Sequence, residues 1–217
     1  MEIDFIKALK HALTLPLPGM EVQFEMAHVN REKLKPGDLN NVNFRKSAVL
    51  ILICKNKNGF FIPLTERHEY KGAHSGQVSL PGGKFEEEDL CLENTALREC
   101  FEEIGIKNEI EILGELSPVY IPVSKFLVHP FIGYYKREEN IFSINTNEVK
   151  NLIELSLSEL MDPDLVKQTT VEPLPGLKLK TPYFDIQGKI VWGATAMILN
   201  EFKYLLKPEA IASLKFR

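Results

Sequence analysis

A chain of 217 residues, 44% hydrophobic and 26% charged, carries enough apolar material to bury one full core with room for an elaboration. Its formal charge of −4 excludes the basic field that a nucleic-acid surface needs, yet leaves phosphorylated small molecules open, since bound cations can supply local positive charge. Three cysteines without C-x-x-C spacing argue against a disulfide framework and fit a cytoplasmic setting, and no run approaches the ~20 apolar residues of a membrane span.

Ile3 to Leu15 places Phe5, Leu9, Ala12 and Leu13 at helical spacing and stops at Pro16 and Pro18-Gly19, and Met1 to Thr14 alternates charge with apolar residues and lacks a secretory h-region. A polar, loop-rich stretch follows through Arg31, Pro36-Gly37 and Asn40-Asn41. Residues 1–45 are therefore expected as a helix and extended segment packed on a domain of residues 46–217. Ser47 to Cys54 (SAVLILIC) is short and apolar throughout, which suits a central strand covered on both faces. Asn58-Gly59 predicts a hairpin turn into Phe60 to Thr65. Gln77 to Leu80 reads as a short strand running into a tight Leu80-Pro81-Gly82-Gly83 turn, and Leu90 to Ile104 as a helix with Asp89 as N-cap. Glu109 to Leu116 and Phe126 to Tyr135 read as strands around a Pro-containing loop. Val149 to Leu155 reads as a further strand and Ser156 to Leu160 as a helical turn. Leu177 to Trp192 suits a hairpin through Gln187-Gly188, and Ala194 to Leu206 a closing helix. Strands outnumber helices that come at intervals, so the expected fold is α+β, with a mixed sheet packed between helices.

The most informative stretch is Arg98-Glu99-Cys100-Phe101-Glu102-Glu103-Ile104-Gly105-Ile106. At ~100° per residue Glu99, Glu102 and Glu103 share one helical face, with Leu97, Phe101 and Ile104 expected on the opposite one. Like charges at that spacing repel, and they stand just before Gly105, at the helix end whose dipole disfavours them. A solvated acidic face is the ordinary explanation for such a pattern. A divalent cation is the other, because it turns the repulsion into binding energy, and magnesium suits hard carboxylate ligands beside phosphates. The preceding Gly82-Gly83 lets backbone approach a metal or phosphate closely.

This segment resembles the Nudix box, G-x5-E-x7-R-E-U-x-E-E-x-G-U with U apolar. Gly83 opens the box, and Arg98-Glu99, Glu102-Glu103, Gly105 and Ile106 match its second half. Asp89 stands where the box has its first Glu, and eight residues rather than seven separate it from Arg98. Upstream, Leu64-Thr65-Glu66-Arg67 and His74-Ser75-Gly76-Gln77-Val78-Ser79-Leu80-Pro81-Gly82-Gly83 resemble the signature of the coenzyme A pyrophosphatase branch. His68, Gly72 and Leu80 depart from that signature, Gly72 standing in place of its second Arg with Lys71 beside it. Ser124 to Pro130 and Trp192-Gly193-Ala194-Thr195-Ala196 are similar to the same branch.

The resemblance implies a Nudix-type α/β/α sandwich and cleavage of a phosphoanhydride, for which divalent ions neutralise charge, activate water and template in-line attack. Glu99 and Glu103 are the expected first metal ligands, Glu102 a ligand or general base, and Gly83 a carbonyl ligand by resemblance. The catalytic set is Glu102, Glu103 and Arg98, with Arg98 read as the ion-pair residue that orients the glutamates. Glu148 reads first as a surface glutamate, and by resemblance it matches a position that supplies an acid in several Nudix proteins. Arg67, Lys71, His74 and Gln77 are the candidate substrate contacts, Arg67 first because its planar fork suits phosphate. Tyr120 and Phe126 are read as core or loop anchors before adenine-stacking groups.

The implied activity is magnesium- or manganese-dependent hydrolysis of coenzyme A or an acyl-CoA to adenosine 3′,5′-bisphosphate and 4′-phosphopantetheine or its acyl form. The alternative within the class is another nucleoside diphosphate derivative, such as ADP-ribose or a dinucleotide. A non-hydrolytic nucleotide sensor is disfavoured by the intact acids of the box, and an isoprenoid diphosphate isomerase by the placement of the cysteines. The expected partner is a small-molecule substrate, with no nucleic acid and no membrane, and a homodimer is left open.

Overall fold

The structure, a computed structural model, describes residues 2–33, 43–68, 76–137, 142–174 and 176–206. Its centre is the strand expected at Ser47 to Cys54, here β1 (Arg45–Asn56). Residues 48, 50, 52 and 54 of β1 enter one apolar cluster and residues 51 and 53 another. The unbroken apolar run is thus a strand with cores on both faces, as its composition demands. Each leucine and isoleucine so covered contributes roughly 1.5–3 kcal/mol of burial.

One edge of β1 pairs in parallel with β7 (Phe126–Tyr135), from Arg45↔Phe126 to Ile53↔Tyr134. The other edge changes partner. Ser47, Ala48 and Val49 pair with β4 (Gly82–Lys84), and Cys54 to Asn56 pair with β2 (Gly59–Arg67). β3 (Val78–Ser79) and β8 (Val149–Ser156) flank β2, while β5 (Ile110–Glu115) and β6 (Val119–Ile121) flank β7. The result among the described residues is a mixed sheet, with a separate three-stranded antiparallel sheet of β9 (Val166–Leu174), β10 (Leu177–Ile186) and β11 (Lys189–Val191).

On one face of the mixed sheet lies α3 (Leu92–Ile104), through Ala96, Cys100 and Ile104. The opposite core holds α1 (Glu2–Leu13), through Phe5, Ile6, Leu9 and Ala12, and α5 (Gly193–Leu205). This is the expected α+β sandwich. A short α2 (Gly19–Gln23) and a 3-10 turn at Phe24–Met26 occupy the start of the stretch read as loop, and α4 (Leu157–Leu160) follows β8. Buried Glu201 of α5 ties α2 to the sheet, accepting from Gly19 N–H (2.9 Å), Gln23 Nε2 (2.7 Å) and Ser117 N–H (3.2 Å). The segment that follows α2 is thereby docked beside β6.

Several expectations are corrected. Leu80 to Gly83 is not a tight turn: Gly82 and Gly83 are strand residues, and a Cβ on Gly82 would lie 2.4 Å from Ala48 O. The apolar stripe of α3 runs through Ala96, Cys100 and Ile104, whereas Phe101 is 44% exposed under Lys107. Glu103 takes the place in that buried arc which Phe101 was expected to hold, because the acids border the core face instead of opposing it. The Pro-containing loop before β7 includes β6, and Val166–Leu174 is strand β9.

Candidate active site

Four elements converge on the carboxyl end of α3. Gly105 closes the helix in the left-handed region (φ 78°), donating its N–H to Phe101 O at 2.9 Å. The chain then returns across that end, where Ser143 N–H and Asn145 N–H donate to the Ile104 and Glu103 carbonyls, each at 3.0 Å. These bonds satisfy orphan helix carbonyls and set the turn that carries Glu148 beside the helix acids. Asn145 Nδ2 donates to Glu148 Oε1 at 3.2 Å. From the sheet side β2 brings Thr65 and Arg67, and β4 brings Gly82 and Gly83.

Glu103 is 2% exposed. It accepts from Thr65 Oγ1 (3.4 Å), pairs with Arg67 Nη2 (3.4 Å) and takes the Gly82 N–H. Burial raises its pKa to about 7, with Glu99 and Glu148 adding to the rise and Arg67 opposing it. Glu99 is likewise raised by burial against the pull of Arg98, with Glu102 and Glu148 contributing. Its carboxylate lies flat against Gly83, where any Cβ would stand 2.2 Å from Oε1. Glu99 and Glu103 thus hold their protons more tightly, with the Glu148 charge beside them, around a glycine with no side chain to fill the gap. Hard oxygen donors that repel in this way fit a divalent cation. As they stand, no three His, Cys, Asp or Glu side chains converge as a preformed metal cage among the described residues. The reason is visible in the pairing: Arg98 Nη1 bonds Glu99 and Glu102, at 2.9 Å each, and Arg67 draws on Glu103.

Arg98 is fully engaged. Besides Glu99 and Glu102 it donates Nε to Asp89 Oδ1 (2.7 Å), and Nη2 to Asp89 Oδ2 (3.1 Å) and to Lys84 O (3.0 Å). Asp89 is not the N-cap of α3. The cap residue is Cys91, and Asp89 ends a 3-10 turn (Glu87–Asp89), reciprocally bonded with Glu86 in a capping box. It is 5% exposed, and the Arg98 hydrogen bond leads the effects that hold its carboxyl down to about 2. The extra residue between Asp89 and Arg98 has an identifiable place. Leu90 stands at φ 64° and 85% exposed, looped out of the path between turn and helix.

Arg67, Gln77, Gly82 and Gly83 line one cavity of about 570 Å³. Its other walls are Ser124 in the turn before β7 and Phe126 at its start, Trp192 to Thr195 at the amino end of α5, and His28 and Arg31 of the N-terminal segment. Phe126 stacks under Arg45, whose Cζ is 4.1 Å from the ring centroid, and Tyr120 contributes its carbonyl to Arg31. Glu102 is 45% exposed and bound to Arg98. Lys71 and His74 lie outside the described residues. Sequence reasoning missed Thr65, a fully buried threonine whose only signal was its place in the signature, and assigned no binding role to Arg31 and His28.

The mixed sheet between helices, with the acid-bearing α3 on one face, is the fold of the Nudix class of phosphoanhydride hydrolases. The sequence matches the NUDIX domain family over residues 44–175, and the chain belongs to that family. It is 31% identical over 178 residues to "Uncharacterized Nudix hydrolase NudL" of Photorhabdus laumondii, covering 80% of this chain and 92% of that one. It is 29% identical over 203 residues to "Probable nudix hydrolase C6G9.05" of Schizosaccharomyces pombe, covering 92% and 69%. Among solved structures, a MutT/nudix family protein from Enterococcus faecalis superposes with a TM-score of 0.51 at 16% identity, over 86% of this chain and 72% of that one. The NUDIX domain of Shewanella oneidensis NrtR, complexed with ADP ribose, gives 0.50 at 14% identity, over 80% and 100%. The chain is therefore a Nudix hydrolase acting on a nucleoside diphosphate derivative. No described helix is long and apolar enough to cross a membrane.

Proposed function

We propose that the protein hydrolyses the diphosphate of coenzyme A or an acyl-CoA, releasing adenosine 3′,5′-bisphosphate and 4′-phosphopantetheine or its acyl form. One observation carries the substrate. The segments that resemble the coenzyme A branch are scattered from Arg67 to Thr195, and they line a single cavity ending at Gly82-Gly83. Glu99, Glu103 and the Gly83 carbonyl would hold magnesium or manganese, and Glu102 or Glu148 would complete the set. A bound ion of this kind supplies Lewis acidity toward phosphoryl oxygens and lowers the pKa of its water.

The chain's own groups divide the remaining work. Arg98, anchored by Asp89, positions Glu99 and Glu102 and is a positioning residue. Arg67 stands at the buried acid and offers its fork to the diphosphate that is cut, with Gln77 beside it on the cavity wall. Glu148 is exposed and is bonded by Asn145 rather than by an arginine, which leaves it suited to take the proton of attacking water. Mass-spectrometric product analysis on CoA, ADP-ribose and a dinucleoside polyphosphate, with each metal in turn, tests the assignment. Adenosine 3′,5′-bisphosphate from CoA as the fastest reaction supports it. Faster cleavage of ADP-ribose, with CoA left intact, would replace it by the alternative reading.

A further inference from the structure

The wall of the cavity made by the N-terminal segment has its own chemistry. After Met26 the chain runs beside β6 and β10, with Val29 N–H donating to Lys180 O at 3.2 Å and Arg31 N–H to His28 O at 2.9 Å. The Arg31 guanidinium donates to Tyr120 O and lies 5.8 Å from the Phe24 ring centroid. Half-buried there, it pays for desolvation, which draws its pKa down to about 10, and no carboxylate lies within ion-pair distance among the described residues. Its acidic neighbours are turned elsewhere: Glu21 pairs with Lys33, and Glu32 is exposed. A guanidinium has five N–H donors, and one carbonyl leaves most of them uncommitted.

Two further polar atoms on the same cavity are buried without a partner, His28 Nδ1 and Ser124 Oγ. Buried polar atoms normally find a partner, so each such pair at one cavity points to a ligand group. The amino end of α5, with no side-chain cap at Trp192, opens onto the same space. Arg31 is also remote from the acids. Its Tyr120 anchor is on β6 and Gly83 is on β4, and the order β4-β1-β7-β6 separates them by three strand spacings, or ~14 Å. One diphosphate cannot bridge that span and also reach Arg67.

We propose that Arg31, with His28 and Ser124, forms a second anion subsite that binds a phosphate monoester carried by the substrate away from the diphosphate that is cut. This rests on the cavity being the substrate site, as argued above. Coenzyme A carries such a group at the ribose 3′ position, whereas ADP-ribose and dephospho-CoA do not. The subsite therefore selects by charge at the nucleoside end, and Arg67 serves both kinds of substrate alike.

The test compares wild type, Arg31→Ala and Arg31→Lys on CoA against dephospho-CoA. It also compares competitive inhibition by adenosine 3′,5′-bisphosphate against adenosine 5′-monophosphate, on whichever diphosphate the wild type cuts fastest. Arg31→Ala should raise KM for CoA and Ki for the bisphosphate about ten- to a hundredfold, leave the dephospho pair within about twofold, and be partly restored by Lys. Equal losses for both members of each pair, or none, would overturn the subsite. If wild type ignores CoA, the substrate reading fails, and the two inhibitors still decide the subsite. Should Arg31→Ala fold poorly by thermal melting, Ser124→Ala and His28→Ala carry the same selective expectation at about three- to tenfold. A non-selective effect from both would likewise overturn the proposal.

Discussion

Replacing Asp89 by Asn removes the carboxylate that anchors Arg98 while keeping the size of the side chain. In the native protein Asp89 accepts from Arg98 Nε and Nη2, Thr95 Oγ1 (2.8 Å) and Glu86 N–H (2.9 Å). Its pKa stands at about 2 instead of 3.8, so the folded state prefers the ionised form. Taken at ~1.36 kcal/mol per unit, that difference is worth about 2 kcal/mol. The sign follows from a depressed carboxylate: the stabilisation is present above pH 3.8 and is lost as the pH falls from there toward 2. Arg98 retains Glu99, Glu102 and Lys84 O, which keeps the cost near or below the ~3–5 kcal/mol of a broken buried pair. Asp89→Asn should thus lower the Tm at pH 7 by about 4–8 °C. It should also flatten the acid limb of stability between pH 4 and 2. Thermal unfolding followed by circular dichroism across that pH range reads both effects. A variant that melts within about 1 °C of wild type and keeps the same acid limb would refute Asp89 as the anchor of the box.

Glu103→Gln should lower kcat by ~10²-fold or more while leaving the Tm equal or higher, because Gln removes a buried charge that Glu99 and Glu148 repel. Near-wild-type kcat in steady-state assays would remove Glu103 from the active centre. The two glycines of β4 should separate stability from activity. Gly83→Ala displaces only the flexible Glu99 carboxylate and should keep the fold while losing at least about tenfold in kcat. Gly82→Ala drives a Cβ into the Ala48–Val49 backbone and should abolish folded expression, a contrast read from paired melting and activity curves. Leu90→Gly relieves a positive-φ residue that buries nothing, and denaturant titration should find it about 1 kcal/mol more stable with unchanged kcat.

The central strand and the hairpin around Asn58-Gly59 were legible because burial on both faces and the positive φ of Gly59 leave direct marks on residue choice. The acid cluster was legible for a related reason: Glu99 and Glu103 stand where helix electrostatics alone would not put them. Glu148 could be placed beside them only through family resemblance, since the turn at Asn145 that returns it is set by bonds to α3 carbonyls. The buried face of α3 was misassigned because Glu103, a charged residue, lies inside the core arc, while Phe101 lies under Lys107. Periodicity rewards apolar side chains and cannot anticipate a carboxylate buried for binding. Asp89 looked like a helix cap because the sequence could not show that Leu90 loops out and returns the carboxylate to Arg98. The cavity wall at Arg31 escaped notice because the pairing of β6 with β7 and the anchoring of α2 on Glu201, which bring it to the cavity, are long-range.

Binding of manganese to the metal-free protein tests the central claim most directly, because the acid cluster is assigned as a cation site before any substrate is considered. Titration of Mn2+, with the free ion followed by electron paramagnetic resonance, should show saturable binding by wild type that Glu103→Gln weakens by about tenfold or more. Lys84, whose carbonyl accepts from Arg98 beside the acids but whose side chain is assigned no contact with the ion, provides the control, and Lys84→Ala should bind no more weakly than wild type. Equal manganese affinity in wild type and Glu103→Gln would contradict the assignment of this helix end as the metal centre.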